Sequence, residues 1–383
     1  MNSIFGVSET GVRTPQAETN FRYNLADVDF FTETTASGAV GVDGGLGFAE
    51  TGTNSGTAQI EDRNKLRYRP GTASSFIVTL GFPERDGDAT LRGGIFDDSD
   101  GIFIGHNGDT YEIGYRRDGV ETTIPRSQWD DSLDGAGDSV ADLDLSGLQV
   151  YRISFGYLGS APFQFEVLTS SEDEQWTVFH EFEFFGDEQT NIVNPVLPPR
   201  LRAASSGTTN ARVISGSWFA FYVNGSAVDP QQRTFTRDAA RSALDSNTNE
   251  HLLTIRVKDT FQSQPNVIQT APVSFRGTMD STQRGFIRAV RNASFGTALS
   301  YTDVDTDSSV SEVSRTATTV SGGKQIGSLP ISAGGGGRGT GAAGGDTSLT
   351  TARLNNGETV SFYVVTPGTI EDASVVVDWR ELF

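Results

Sequence analysis

Between Leu91 and Gly159, apolar and polar positions alternate in short bursts. Gly93-Gly94-Ile95-Phe96 is stopped by Asp97-Asp98-Ser99-Asp100-Gly101, and Ile102-Phe103-Ile104-Gly105 is stopped by His106-Asn107-Gly108-Asp109. Tyr111, Ile113 and Tyr115 then alternate with Glu112 and Gly114 up to Asp118-Gly119. A period of two means one buried and one wetted face. Asn-Gly and Asp-Gly are strong hairpin signals. The pattern predicts a β-meander with a strand about every 8–10 residues, the spacing of a sandwich or jelly roll.

The same reading extends both ways. Ser75–Phe82 reads as a strand buried on both faces. Strands follow at Val150–Leu158, Phe163–Leu168, Trp176–Phe185, Ala211–Ser217 and Trp218–Asn224. Asp229–Glu250 is polar and breaks the pattern, with a short helix over Arg237–Leu244 as the one helical segment expected. Beyond it, His251–Lys258 opens a second β region, with strands near 272–277, 285–291, 296–303, 314–321, 360–366 and 374–380. Residues 333–346 are glycine-dense and read as a surface loop. The expected architecture is all-β: a jelly-roll-like sandwich over 1–228, a linker over 229–249, and a smaller sandwich over 250–383.

Charge adds a constraint. Of 383 residues, 49 are acidic and 29 basic, for a net charge of −20. Lysine occurs only at Lys65, Lys258 and Lys324. Two readings compete: an ordinary acidic protein kept soluble by self-repulsion, and a protein for concentrated salt, where screening removes that repulsion; so little lysine beside so many carboxylates favours the second. An acidic chain is a poor partner for nucleic acid or an anionic membrane. There is no cysteine, which excludes disulfides and thiolate chemistry. No apolar stretch approaches the roughly 20 residues of a bilayer span. The first 15 residues show no basic segment followed by an apolar one, so no secretory signal is expected.

Candidate chemistry is sparse. Asp303, Asp305 and Asp307 alternate like the ligands of a calcium loop, but Ser308 and Ser314 stand where that loop needs Gly and Glu. Asp97, Asp98 and Asp100 form an acidic turn that could share a hard cation with Asp86, Asp88 or Asp109 if these loops meet at one end of the sandwich. A divalent cation is therefore the one non-protein group for which ligands are spaced, and no other cofactor is expected. Trp129 lies beside an acidic loop and is the candidate platform for a glycan, while Trp176 and Trp218 read as core. His106, His180 and His251 belong to no metal or triad motif, and Gly334–Gly337 is not a phosphate loop. Glu181 and Glu183 share a strand face, a spacing that allows a glycosidase carboxylate pair, but alternation with Phe182 and Phe184 is explained by one wet face. No enzyme activity is expected.

Several elements occur in an order that resembles a family of virion structural proteins of tailed phages from marine and environmental genomes. They are Arg13-Thr14-Pro15, Arg67-Tyr68-Arg69-Pro70-Gly71, Gly94-Ile95-Phe96-Asp97 through Gly101 to Gly105, and Arg117-Asp118-Gly119-Val120-Glu121-Thr122. Gln128 to Gly135, Leu143 to Ser146, Phe155-Gly156-Tyr157-Leu158-Gly159, Asn194 to Arg200 and Trp379-Arg380-Glu381-Leu382-Phe383 complete the series. The match is densest over 90–200 and weaker from 229 onward. The resemblance implies a virion component with no catalytic residues, packed against other virion proteins and against copies of itself. The expected function is a tail-tip, baseplate or fibre subunit, with one loop-rich end offered to a host-surface glycan or glycoprotein. A capsid decoration or turret protein and a glycan-binding adhesin are the alternatives. The charge pattern adds a halophilic host, such as an archaeon.

Overall fold

The computed structural model describes residues 13–382, apart from 28, 68–72, 137–140, 157–159, 171–174, 225–231, 246, 267, 282, 332–346, 350–352 and 369. The glycine-rich segment 333–346 thus lies outside the described residues, as do parts of the Arg67–Gly71 and Phe155–Gly159 elements. Among the described residues there is no α-helix, and one 3-10 turn occurs at Arg126–Gln128. The chain divides into two compact units, Met1–Ala227 and Val228–Phe383. Each is a β-sandwich with its own core, the first jelly-roll-like.

One sheet of the first unit runs, strand by strand, through Gln175–Phe182, Phe163–Ser170, Gln149–Gly156, Ala73–Glu84, Arg212–Asn224, Leu46–Glu50 and Ala39–Asp43, with Arg13–Thr19 also paired to Arg212–Asn224. The other has seven strands: β1 (Phe30–Thr35), β2 (Thr57–Asp62), β3 (Ala89–Phe96), β4 (Gly101–Asn107), β5 (Thr110–Arg117), β6 (Val120–Pro125) and β7 (Pro199–Ser205). Across this sheet the order is β6-β5-β4-β3-β7-β2-β1, all antiparallel. The β5–β6 turn is Asp118-Gly119, both with positive φ (50° and 77°), the backbone of a two-residue hairpin.

Alternation explains the core. Phe76, Val78, Leu80 and Phe82 are buried from one sheet, and Leu91, Ile95, Ile102, Ile104, Ile113 and Leu201 from the other. Phe163, Phe165, Phe179 and Phe221 fill the space between. Each fully buried phenylalanine contributes roughly 1.5–3 kcal/mol. Ser75–Phe82 is not buried on both faces, because Ile77 and Thr79 are only half-buried.

The second unit pairs a four-stranded sheet with a six-stranded one. The strand Ile370–Leu382 lies inside the smaller sheet, bonded to Gln232–Leu244 on one side and Gln269–Ser281 on the other. Trp379 is fully buried and stacks on Phe235, with centroids 5.9 Å apart.

Two expectations are corrected. Most of the segment read as linker, and the helix placed in it, form the strand Gln232–Leu244. Phe235, Arg237, Ala239 and Arg241 occupy alternate positions on that strand. The two arginines bond to backbone carbonyls: Arg237 Nη2 to Val304 O (2.6 Å), and Arg241 Nη1 to the oxygens of His251, Ala317 and Thr318 (3.1–3.2 Å). Guanidinium groups at positions where apolar residues are expected hide the period of two. Second, 296–303 is not a strand: only Thr302–Asp303 pairs, and 314–321 is split into Ser311–Ser314 and Val320–Ser321. Hydroxyl groups take the backbone donors there, Thr316 Oγ1 from Ser300 N (2.8 Å) and Thr297 Oγ1 from Thr318 N (3.0 Å).

Candidate functional site

The seven-stranded sheet has no register shift in any of its pairings. Its outward side chains therefore form straight rows across the strands. One row runs Glu33, Gln59, Arg202, Arg92, Gly105, Glu112 from β1 to β5. The next runs Phe31, Glu61, Arg200, Gly94, Phe103, Gly114, Thr123. A third row holds Phe96, Gly101, Arg116 and Glu121. A face turned away from the core is thus built of arginine, carboxylate and glycine.

The glycines have a steric reason. A Cβ on Gly94 would stand 2.3 Å from Ile102 O, and one on Gly114 would stand 2.6 Å from Thr122 O and 2.8 Å from Phe103 Cζ. Neighbouring strands close up on this side as side chains would forbid.

The charges form two linked groups. Arg92 donates to both oxygens of Glu121 (2.6 Å each) and to Glu112 Oε1 (3.0 Å), while its guanidinium lies 4.1 Å from the centre of the Phe103 ring. Arg116 donates to Glu121 Oε2 (2.8 Å) and to Asp97 O (2.6 Å). Burial by itself raises the Glu121 carboxyl, but hydrogen bonds from Arg92 and Arg116 outweigh it and hold it below the usual range. In the second group Arg200 donates to Glu61 Oε2 (2.6 Å) and Asp98 Oδ1 (2.9 Å). Arg202 reaches the same Asp98 oxygen only at 3.8 Å. Its pKa is lowered by burial against the pull of Asp98, with the charges of Arg200, Arg116 and Arg92 adding to the effect.

The sequence-predicted ligands do not meet. Asp97 Oδ1 accepts from the amides of Ser99 (2.8 Å) and Asp100 (2.7 Å), closing its own turn. Asp98 faces Arg200. Asp100 is buried, and its Oδ1 accepts from Val193 N (2.9 Å) and Asp118 N (3.4 Å). Burial raises the Asp100 carboxyl, and those amide bonds oppose it. Asp86, Asp88 and Asp109 lie at the opposite end of β3 and β4 from Asp97–Asp100, about 25 Å away at strand rise, so no shared cation is held between them. Asp303 pairs with Lys258 Nζ (3.0 Å), and Asp305 Oδ1 accepts from the amides of Asp307 (3.0 Å) and Ser308 (2.7 Å). Among the described residues no group of three metal-ligating side chains converges. Trp129 is buried against Phe179 (4.8 Å) and donates Nε1–H to Ile124 O (3.2 Å), so it is core rather than a glycan platform. Glu183 lies past the end of the strand Gln175–Phe182, and Glu181 accepts from Gln164 Nε2 (2.7 Å).

Several ordered elements that carry the virion resemblance instead meet at one end of this sheet. Asp100 ties the β3–β4 turn to Asp118 and Val193, Gly119 N donates to Ser99 O (2.7 Å), and Phe96 N donates to Pro198 O (3.1 Å). Their placement is that of a frame holding three loops together.

No family model matches the chain, and no curated protein matches it. Similar solved structures include a β-1,3-glucanase from Mycobacterium marinum, at 12% identity and TM-score 0.36, over 51% of this chain and 91% of that one. The catalytic domain of an endo-1,3-β-glucanase (laminarinase) from Thermotoga petrophila is similar at 11% identity and TM-score 0.38, over 57% and 100%. A legume lectin-like domain from Entamoeba histolytica is similar at 11% and 0.31, over 54% and 97%. Two of these are glucanases, and that finding overturns the expectation that the chain is not an enzyme. The exclusion is withdrawn, and at these scores the likeness assigns no activity or residue role in its place.

Proposed function

We propose that the chain is a virion structural protein of a tailed virus, a tail-tip, baseplate or fibre subunit that assembles with copies of itself, and that the outward face of the seven-stranded sheet contacts host-surface saccharide. The contact role rests on one observation. Three rows of arginine, carboxylate, glycine and aromatic side chains lie on the side of the sheet away from the core, in unbroken register; Arg92, Arg116, Arg200, Glu112, Phe96 and Phe103 are buried within them, and Arg202, Phe31, Glu33 and Glu121 reach solvent. Polar groups fixed beside rings suit a hydroxylated ligand better than an apolar partner. The virion role is supported by the ordered sequence elements. The subunit rings or trimers follow from the symmetry of such appendages.

Cryo-EM of intact virions, with density assigned to this chain, tests the virion role. Density at the tail end in three- or six-fold symmetry is expected. Density repeated over the capsid lattice would move the protein to decoration or turret, and absence from the particle would overturn the structural role.

A further inference from the structure

Arg202 and Arg92 stand directly opposite one another on β7 and β3, on the same outward face. Like charges in that position repel. Arg92, Arg116 and Arg200 are each matched by a carboxylate within 3.0 Å. Arg202 is not: its one ion-pair contact is the 3.8 Å approach to an Asp98 oxygen already bonded to Arg200, and its side chain is 36% exposed. A guanidinium carries five donors in a planar fork suited to a carboxylate or sulfate. In a chain of net charge −20, an arginine left unmatched beside three others runs against the chain-wide trend. Gln59 follows Arg202 in its row on β2, and Phe31, 42% exposed, stands in the adjacent row on β1. Two strand spacings separate β7 from β1, about 10 Å. That is the span of a short oligosaccharide, with an exposed ring at one end and an unmatched cation at the other.

We infer that this face binds an acidic saccharide, with Arg202 taking its carboxylate or sulfate group and Phe31 stacking on a sugar ring. The inference rests on the reading of the face as a saccharide contact and names the ligand's class. The anion is held by charge-assisted hydrogen bonds from Arg202. No bond is made or broken.

The test is calorimetric titration of the full chain with an oligogalacturonate, a sulfated galactan oligosaccharide and the neutral galactan oligosaccharide of equal length. Wild type is expected to prefer an acidic ligand over the neutral one by about tenfold or more. The carboxylate and sulfate arms show which anion is taken. Arg202→Gln should bring that preference to about one, and Arg202→Lys should keep part of it, since a charge remains without the fork. Phe31→Ala should weaken every saccharide that binds. Thermal unfolding of each variant checks that the sandwich is intact. Equal binding of acidic and neutral ligands, or an acidic preference that survives Arg202→Gln, overturns the inference and leaves the saccharide-contact reading standing. Binding of none of the three removes both.

Discussion

Both units set arginines into β-strands, and one group in each is satisfied in the opposite way to the other. On the first unit's outward face, Arg92, Arg116 and Arg200 are answered mainly by carboxylates of other strands. In the second unit, Arg237 and Arg241 are answered chiefly by backbone carbonyls. A carbonyl partner fixes the fold and has nothing to exchange. A carboxylate partner can be traded for another anion. The same residue type thus braces side chain against backbone in one place and strand against strand, through buried ion pairs, in the other.

The sharpest way to break this comparison is Arg92→Ala. It strands Glu112, only 4% exposed, with no cation, and should destabilise the first unit by about 3–5 kcal/mol. Glu112→Gln leaves Arg92 bonded to Glu121 and should cost about 1 kcal/mol. Denaturant unfolding read by hydrogen exchange in β3–β5 separates the two, and equal costs would show that the network is not what holds this face. Arg241→Ala is the matching test in the second unit. Three carbonyls lose a donor, though Thr318 O still accepts from His251 N (3.0 Å), so the expected loss is about 1–3 kcal/mol, read as faster exchange in Glu250–Val257.

A smaller effect comes from acid, which reaches both units through a buried histidine. Burial, helped by Arg85, lowers His106 to about 4, and burial, helped by Arg241, does the same to His251. An unfolded histidine titrates near 6.5. Between these values the unfolded chain binds more protons, so stability present above about pH 6.5 should be lost progressively as pH falls toward 4. His106 has neither ring nitrogen hydrogen-bonded, whereas His251 Nε2 meets Thr254 Oγ1 at 2.8 Å. His106→Gln should flatten the pH dependence of the first unit alone. An unchanged profile would show that other groups govern it, His180, which burial also lowers, or the carboxylates.

The all-β architecture and the meander over β3–β6 were legible because hairpin dipeptides and a period of two are local signals. The face was partly legible too. Given the Asp118-Gly119 and Gly108-Asp109 turns, pairing the meander by hand aligns Arg92, Gly105 and Glu112 in a row. Arg200, Arg202 and Glu61 were not legible, because β7 inserts beside β3 from more than 100 residues away and nothing local announces that register. The acidic turns misled for the opposite reason. Asp97, Asp305 and Asp100 look like cation ligands in sequence, but each spends an oxygen on backbone amides. Trp129 misled because a loop position hid a buried ring.

The strand Ile370–Leu382 is bonded along both edges, to partners that begin at Gln232 and Gln269. On the ribosome those flanking segments start to emerge roughly 100 residues or more before the strand that must join them. Until residue 382 has cleared the exit tunnel they have no central template, and each exposes an unpaired edge to its neighbours in the cell. Synthesis therefore delivers the second unit in a single late step. A chain interrupted after the first unit but before that strand would retain a first sandwich able to close and a second that cannot.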